Sequence, residues 1–416
     1  MTPEMKPTPP GQVVRAGSPT MEMMSAAAGR LTTFVFAAAI MLSLCVNATF
    51  VDVFPKTFLA VVLLVALLAH VLRHPRVAFF RETSIYAAFV LYLFIQMFWT
   101  PDWELAGNKL IAAMNFLLIL LLGTSLIVYY NARVVISGFL AGLIAAAFLY
   151  TLISGFPFRY PADFSYNAVA LVYLLGLFLA LMVTSLRSSR LVFPVVAFAM
   201  MAHVVATTSI KTNLGIGLGV LAVGLVHFRH AIRLFWRNAA VLFFLLVVSG
   251  YLVISNESVM SSLERGAARI SLGVDILRAR ENLPGYSALD DRDQWRRDGL
   301  EGWAESPIFG NGVEAFRWRY GITSHSTPID LLHDSGLTGF LLFYSMLASL
   351  GLRLFSRDCR LRSDLKLLFL GTLVCFTFIT LSGTMQYSPF LAVFVAVAAA
   401  TLGGAASGAG SRRPGP

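Results

Sequence analysis

Apolar runs of about 17–25 residues, the length an α-helix needs to cross roughly 30 Å of hydrocarbon, recur along almost the whole chain. About twelve can be read, starting near Leu31, Lys56, Ser84, Asn108, Arg133, Tyr166, Leu191, Thr212, Asn238, Leu332, Leu365 and Gln386. Lipid offers backbone N–H and C=O groups no water partner, so a spanning segment closes its hydrogen bonds within a helix or a closed barrel. These runs are continuous rather than alternating, which selects helices. The expected fold is all-α, a polytopic integral membrane protein with about twelve transmembrane helices. Composition agrees: the chain is 57% hydrophobic and 13% charged, whereas a soluble domain carries roughly 25% charged residues. Soluble, disordered and fibrous classes are excluded.

The 416 residues hold 32 Lys and Arg against 22 Asp and Glu, a formal charge of +10. In a soluble chain that would raise nucleic acid as a partner. In a membrane chain the placement of the charges decides instead, because Lys and Arg concentrate in cytoplasmic loops. With the N-terminus inside, nineteen of the 32 fall in alternate connections, at positions such as Arg73, Arg76, Arg229, Arg233, Arg353 and Arg360. The short outward loops hold only Lys56, Lys109, Arg159 and Lys211. Both termini are therefore expected in the cytoplasm, and no nucleic-acid partner is expected. The division that follows is a disordered tail over 1–30, spans one to nine over 31–255, an outward connection over 256–329, spans ten to twelve over 330–403, and a second tail over 404–416. Cys45 and Cys375 lie in apolar runs and Cys359 in a basic loop, so no disulfide framework is expected.

The long outward connection holds the remaining nine arginines, together with Trp295, Trp303 and Trp318. Long segments escape the positive-inside rule. Loops of this length are functional or disordered, and the aromatic content argues against disorder. An Arg-rich, outward-facing segment beside a membrane suits phosphate or pyrophosphate, since guanidinium presents a bidentate fork of donors. For any single arginine, an exposed ion pair with a neighbour such as Asp293, Asp298 or Glu301 is the plainer reading.

Arg265 stands where the connection leaves the bilayer, Arg292 precedes Trp295 on an expected helix, and Lys211 lies between two apolar spans. A charge at membrane depth is a functional candidate, with snorkelling to the interface an equal alternative for Lys211. Histidine exchanges protons near neutral pH. His325 precedes a span that Pro328 is expected to begin, which leaves His325 in the outward loop while His333 and Asp334 face the bundle. Metal ligation lacks a matching pattern: the connection has no cysteine cluster, and Asp290, Asp291 and Asp293 read as the start of a helix. No metal and no other cofactor is expected, and Walker-type nucleotide loops are absent.

The stretch from Arg292 to Gly339 resembles the outward loop of the O-antigen ligase family of bacterial envelope proteins, whose signature is shared with O-antigen polymerases. That signature is His, then Asn, Ser or Gln, nine arbitrary residues, Gly, two more, and Gly, Thr or Tyr. It reads here as His325-Ser326, Thr327 to Ser335, Gly336, Leu337-Thr338 and Gly339. Upstream, Arg292 and Trp295 followed by Pro307-Ile308-Phe309-Gly310-Asn311-Gly312 is similar to the family's Arg-Trp and Pro-Ile-x-Gly-x-Gly elements, with the Arg to Trp interval one residue shorter. Lys211 stands where relatives carry an arginine.

The resemblance implies a GT-C-like glycosyltransferase in the bacterial inner membrane, with its active site facing the periplasm. It implies a glycan donor carried on undecaprenyl pyrophosphate and a lipid A-core acceptor, without metal or ATP. In that scheme His325 is the general base and Arg265, Arg292 and Lys211 bind the pyrophosphate. Trp295, His333, Gly336 and Gly339 are supporting residues, the two glycines permitting close approach within an apolar helix. A polymerase uses the same donor, but many polymerases divide their outward chain between two sizeable loops, and here the connection from Gly155 to Ser165 is short. A transporter or flippase is the alternative of another class; no internal repeat of the kind transporters carry is visible.

Overall fold

The computed structural model describes residues 19–49, 56–154, 166–186, 196–197, 199–201, 212–222, 287–357, 359–381 and 383–407. Every regular element among them is helical: α1 Pro19–Thr49, α2 Lys56–Arg73, α3 Arg81–Gln96, α4 Trp103–Tyr129, α5 Ala132–Ser154, α6 Tyr166–Leu186, α7 Thr212–Ala222, α8 Ser287–Glu305, α9 Ala315–Tyr320, α10 Thr327–Phe355, α11 Ser363–Thr380 and α12 Pro389–Ser407. Six helices among the described residues are long and apolar enough to cross a membrane, within α1, α4, α5, α6, α10 and α11. Shorter apolar helices stand in α2, α7 and α12. The protein is a multi-pass membrane protein. The expected span near Asn238 and most of the one near Leu191 lie outside the described residues.

Helix α1 begins at Pro19, ahead of the expected start near Leu31, so part of the stretch read as a disordered tail is helical. Met, Glu and Ala crowd that stretch, and their helix propensity carries the helix beyond its apolar portion, Ala27–Ala48. Helices α4 and α5 meet across only Tyr130 and Asn131. The junction is sharp because the Asn131 side chain accepts from the Arg133 amide at 3.1 Å and caps α5. At the other end of α4, Asp102 accepts from the amides of Glu104 and Leu105 at 2.9 and 3.0 Å.

Between helices in lipid, close packing and polar ties replace the hydrophobic drive. Helix α5 lies against α1 through Gly138 and Gly142, one turn apart. A Cβ on Gly138 would come within 2.6 Å of the Phe34 carbonyl oxygen, and one on Gly142 would collide with that of Ala38. Helix α4 packs against α2, α3 and α12, with Tyr86 stacked on Phe116 at 4.0 Å. Helices α3 and α10 are tied at one end by a buried ion pair. Glu82, 0% exposed, takes Arg353 Nη1 at 2.8 Å and the Ser349 hydroxyl at 3.0 Å, while Arg353 Nη2 donates to the Ala399 carbonyl on α12.

Arg353→Ala leaves the Glu82 carboxylate buried without its cation, and removing one partner of such a pair costs about 3 kcal/mol or more. The Tm of the detergent-solubilised protein is expected to fall accordingly, and Glu82→Gln combined with Arg353→Met to recover most of the loss. A Tm unchanged by Arg353→Ala would remove the pair from the account of how α3 and α10 hold together.

Candidate functional site

Gly336 interrupts α10. With φ 60° and ψ −167° it leaves the helical region, so α10 is two half-helices, and a longer side chain would be strained there. The expectation that Gly336 and Gly339 share one continuous apolar helix is corrected at this point. A broken helix exposes carbonyls and amides that nothing in lipid can satisfy, and such breaks persist only where protein covers them. The cover is residues 306–312. The amides of Leu337 and Thr338 donate to the Pro307 and Ile308 carbonyls at 2.9 and 3.1 Å, and those of Asn311 and Gly312 donate to the His333 and Asp334 carbonyls at 3.0 and 2.9 Å. Backbone meets backbone because both sides carry glycine. A Cβ on Gly336 would collide with the Ile308 carbonyl oxygen, and one on Gly310 with that of Asp334.

Helix α3 completes the junction from the other side. Gln96 Nε2 donates to the Phe309 and Asp334 carbonyls at 2.8 and 3.0 Å, its Oε1 accepts from the Ser335 hydroxyl at 3.0 Å, and Tyr92 donates to the Phe309 carbonyl at 2.6 Å. Trp99 and Thr100 donate to the Gly310 and Val313 carbonyls. His333 belongs to this junction. It is 1% exposed, its Nδ1 donates to Asp334 Oδ1 at 2.8 Å, and Asp334 Oδ1 also accepts from the Phe316 amide. Its ring meets Phe316 edge to face, and Gly302 leaves no room for a Cβ against it. His333 thus joins α8, α9 and α10.

His325 has the opposite environment. Ser324 and Ser326 on either side are buried, with the Ser326 amide donating to the Ser324 hydroxyl at 3.1 Å and the Ser324 amide to Asp330 at 3.0 Å. Thr327 fixes the next turn: its hydroxyl donates to the Gly383 carbonyl and accepts from the Met385 amide. His325 between them is exposed and sits at φ 57°, a left-handed conformation uncommon outside glycine. Backbone strain of about 1–3 kcal/mol of this kind persists where the surroundings enforce it, and it clusters at functional sites. The indole of Trp295 on α8 lies 5.7 Å from the His325 ring, centroid to centroid.

The imidazole lines a cavity of roughly 610 Å³. Its walls are the C-terminal ends of α1 and α11, the N-terminal ends of α2, α4, α6, α7 and α12, and the turn over 383–388, so these helix ends meet on one side of the bundle. Lys109 and Tyr387 both line the cavity.

Among the expected site residues, Trp295 is brought beside His325, which lines the cavity, and His333, Gly336 and Gly339 lie at the helix break instead. Arg265 and Lys211 lie outside the described residues, though Thr212, next to Lys211, lines the cavity. Arg292 is on α8, with its side chain outside the described residues. Two arginines of the long connection are engaged elsewhere. Arg319 forms a forked pair with Glu305 at 2.9 and 2.8 Å, holding that carboxyl below its usual range, and Arg317 lies 3.8 Å from Glu314. Among the described residues no three His, Cys, Asp or Glu side chains gather as a metal-binding set. Sequence reading passed over Tyr92, Gln96, Lys109, Glu314 and Asp330. Polar residues inside the apolar runs of α3 and α10 were the available signal for Gln96 and Asp330. The fold and the cavity define a polytopic membrane protein with a site at one end of its bundle. Compared with family models and with curated proteins, the chain finds no match.

Gly336→Ala forces a left-handed alanine against the Ile308 carbonyl, so a loss of about 2 kcal/mol or more is expected. Limited proteolysis across residues 306–326 checks it: faster cleavage than in the wild type is expected, and equal cleavage would mean that the junction tolerates a side chain.

Proposed function

We propose that the protein is a glycosyltransferase of the O-antigen ligase type. It moves a glycan from undecaprenyl pyrophosphate to a sugar hydroxyl of lipid A-core at the periplasmic face of the bacterial inner membrane. The observation that carries this reading is His325, strained, exposed and lining a cavity among helix ends, with Trp295 beside it. The signature residues support it too, because the glycines of both motifs meet across the helix break that fixes α10 below His325.

In this reaction His325 takes the proton of the acceptor hydroxyl as that oxygen bonds to the anomeric carbon. The bond from that carbon to the diphosphate oxygen breaks, and undecaprenyl pyrophosphate departs with the electron pair. A single displacement inverts the anomeric centre. The donor brings its own activated leaving group, so no nucleotide is consumed. Charge developing on the diphosphate is met by cations already in place, the roles proposed for Arg265, Arg292 and Lys211.

His325→Asn keeps a side chain that tolerates the left-handed region and removes the base. In proteoliposomes supplied with the lipid-linked glycan and lipid A-core, transfer is expected to drop on the order of 100- to 10,000-fold with Tm unchanged. Retention of near wild-type transfer rejects His325 as base. Wild-type protein that lengthens the carrier-bound glycan instead of capping the core would be a polymerase.

A further inference from the structure

Two kinds of side chain line the cavity: Phe116 and Ile119 of α4, Leu171 of α6 and Phe390 of α12 are apolar, while Lys109 and Tyr387 are polar. Lys109 is the one Lys or Arg among the described lining residues, and none of those residues is Asp or Glu. An ammonium at the end of a membrane helix facing an apolar cavity is costly unless something holds it. Here Glu314 does so from behind, with Nζ 3.1 Å from Oε1, and the Tyr387 ring lies 5.5 Å from Nζ. Glu314 is itself only 6% exposed and adopts φ 60°. Its second oxygen lies 3.8 Å from Arg317, so one carboxylate stands between two cations and only Lys109 reaches the cavity. The other nearby carboxylates do not line the cavity: Asp330 accepts from the Ser324 amide and the Thr384 hydroxyl, and Asp334 accepts from His333 Nδ1 and the Phe316 amide.

We propose that this cavity binds an anionic amphiphile, its phosphate on Lys109 and the start of its hydrocarbon chain along Phe116, Ile119, Leu171 and Phe390. The inference deepens the glycosyl-transfer reading and rests on it for the identity of the amphiphile, a polyprenyl diphosphate. It adds a phosphate-binding residue on α4, far in sequence from the outward connection. An anionic phospholipid headgroup offers the same phosphate chemistry, so the two sources need separate arms.

The test measures binding, not transfer. Full-length protein in a zwitterionic detergent is titrated with undecaprenyl diphosphate, and in parallel with phosphatidylglycerol and phosphatidylcholine, and bound lipid is counted by native mass spectrometry. Lys109→Met is expected to weaken undecaprenyl diphosphate binding on the order of 10- to 100-fold, the worth of one charge-assisted hydrogen bond, and Lys109→Arg to retain it. Lys109→Met combined with Glu314→Gln removes the pair without stranding the carboxylate. It is expected to show the same loss with a wild-type Tm, which separates lost binding from lost folding. Unchanged binding in both methionine variants overturns the site whatever a transfer assay gives. Equal, Lys109-dependent binding of phosphatidylglycerol overturns the polyprenyl assignment. Lys109-dependent binding of the diphosphate by a preparation that transfers no glycan supports the site and sinks the glycosyl-transfer reading alone.

Discussion

The unsatisfied backbone of an interrupted membrane helix is the interaction on which the rest of this structure depends. Opening α10 at Gly336 leaves buried carbonyls and amides without helical partners, and each would cost several kcal/mol left alone. Residues 306–312 meet them with backbone, and Tyr92 and Gln96 donate to the Ser335 and Asp334 carbonyls with side chains. The segment over 306–312 is therefore bonded into the bundle as part of it. That bonding holds α8 and α9 over α10, and through Trp295 and the turn at Ser324 and Ser326 it sets where His325 can stand.

Two histidines eight residues apart show how environment divides chemistry between like side chains. His333 is enclosed by Phe316, Gly302 and Asp334 and spends its hydrogen bond on the junction. His325 is lifted out of a turn whose neighbours are pinned, and it faces a cavity. A proton acceptor must be reachable by the alcohol it serves, and only the second placement meets that need.

The all-helical, membrane-spanning character was legible in the sequence, since long apolar runs leave a chain in lipid few choices; six of the roughly twelve expected spans stand among the described residues as helices long and apolar enough to cross. The start of α1 was not, because hydropathy marks where lipid begins and not where helix propensity ends. The break at Gly336 was hidden for a related reason: its cause lies in a loop more than twenty residues upstream. Periodicity registers local pattern, and nothing local distinguishes a glycine that packs inside a helix from one that interrupts it. The separation of His325 from His333 was readable from Pro328. Lys109 was counted only as a topological charge, since its pairing with Glu314 joins positions about two hundred residues apart.

The cavity draws on Asn47 near the start of the described chain and on Phe390 near its end. A site assembled from such distant pieces has a birth order. Until α12 has been inserted one wall is missing, so the enclosure does not exist on a shorter chain. The enclosure is complete only when α12 has joined the helices that precede it.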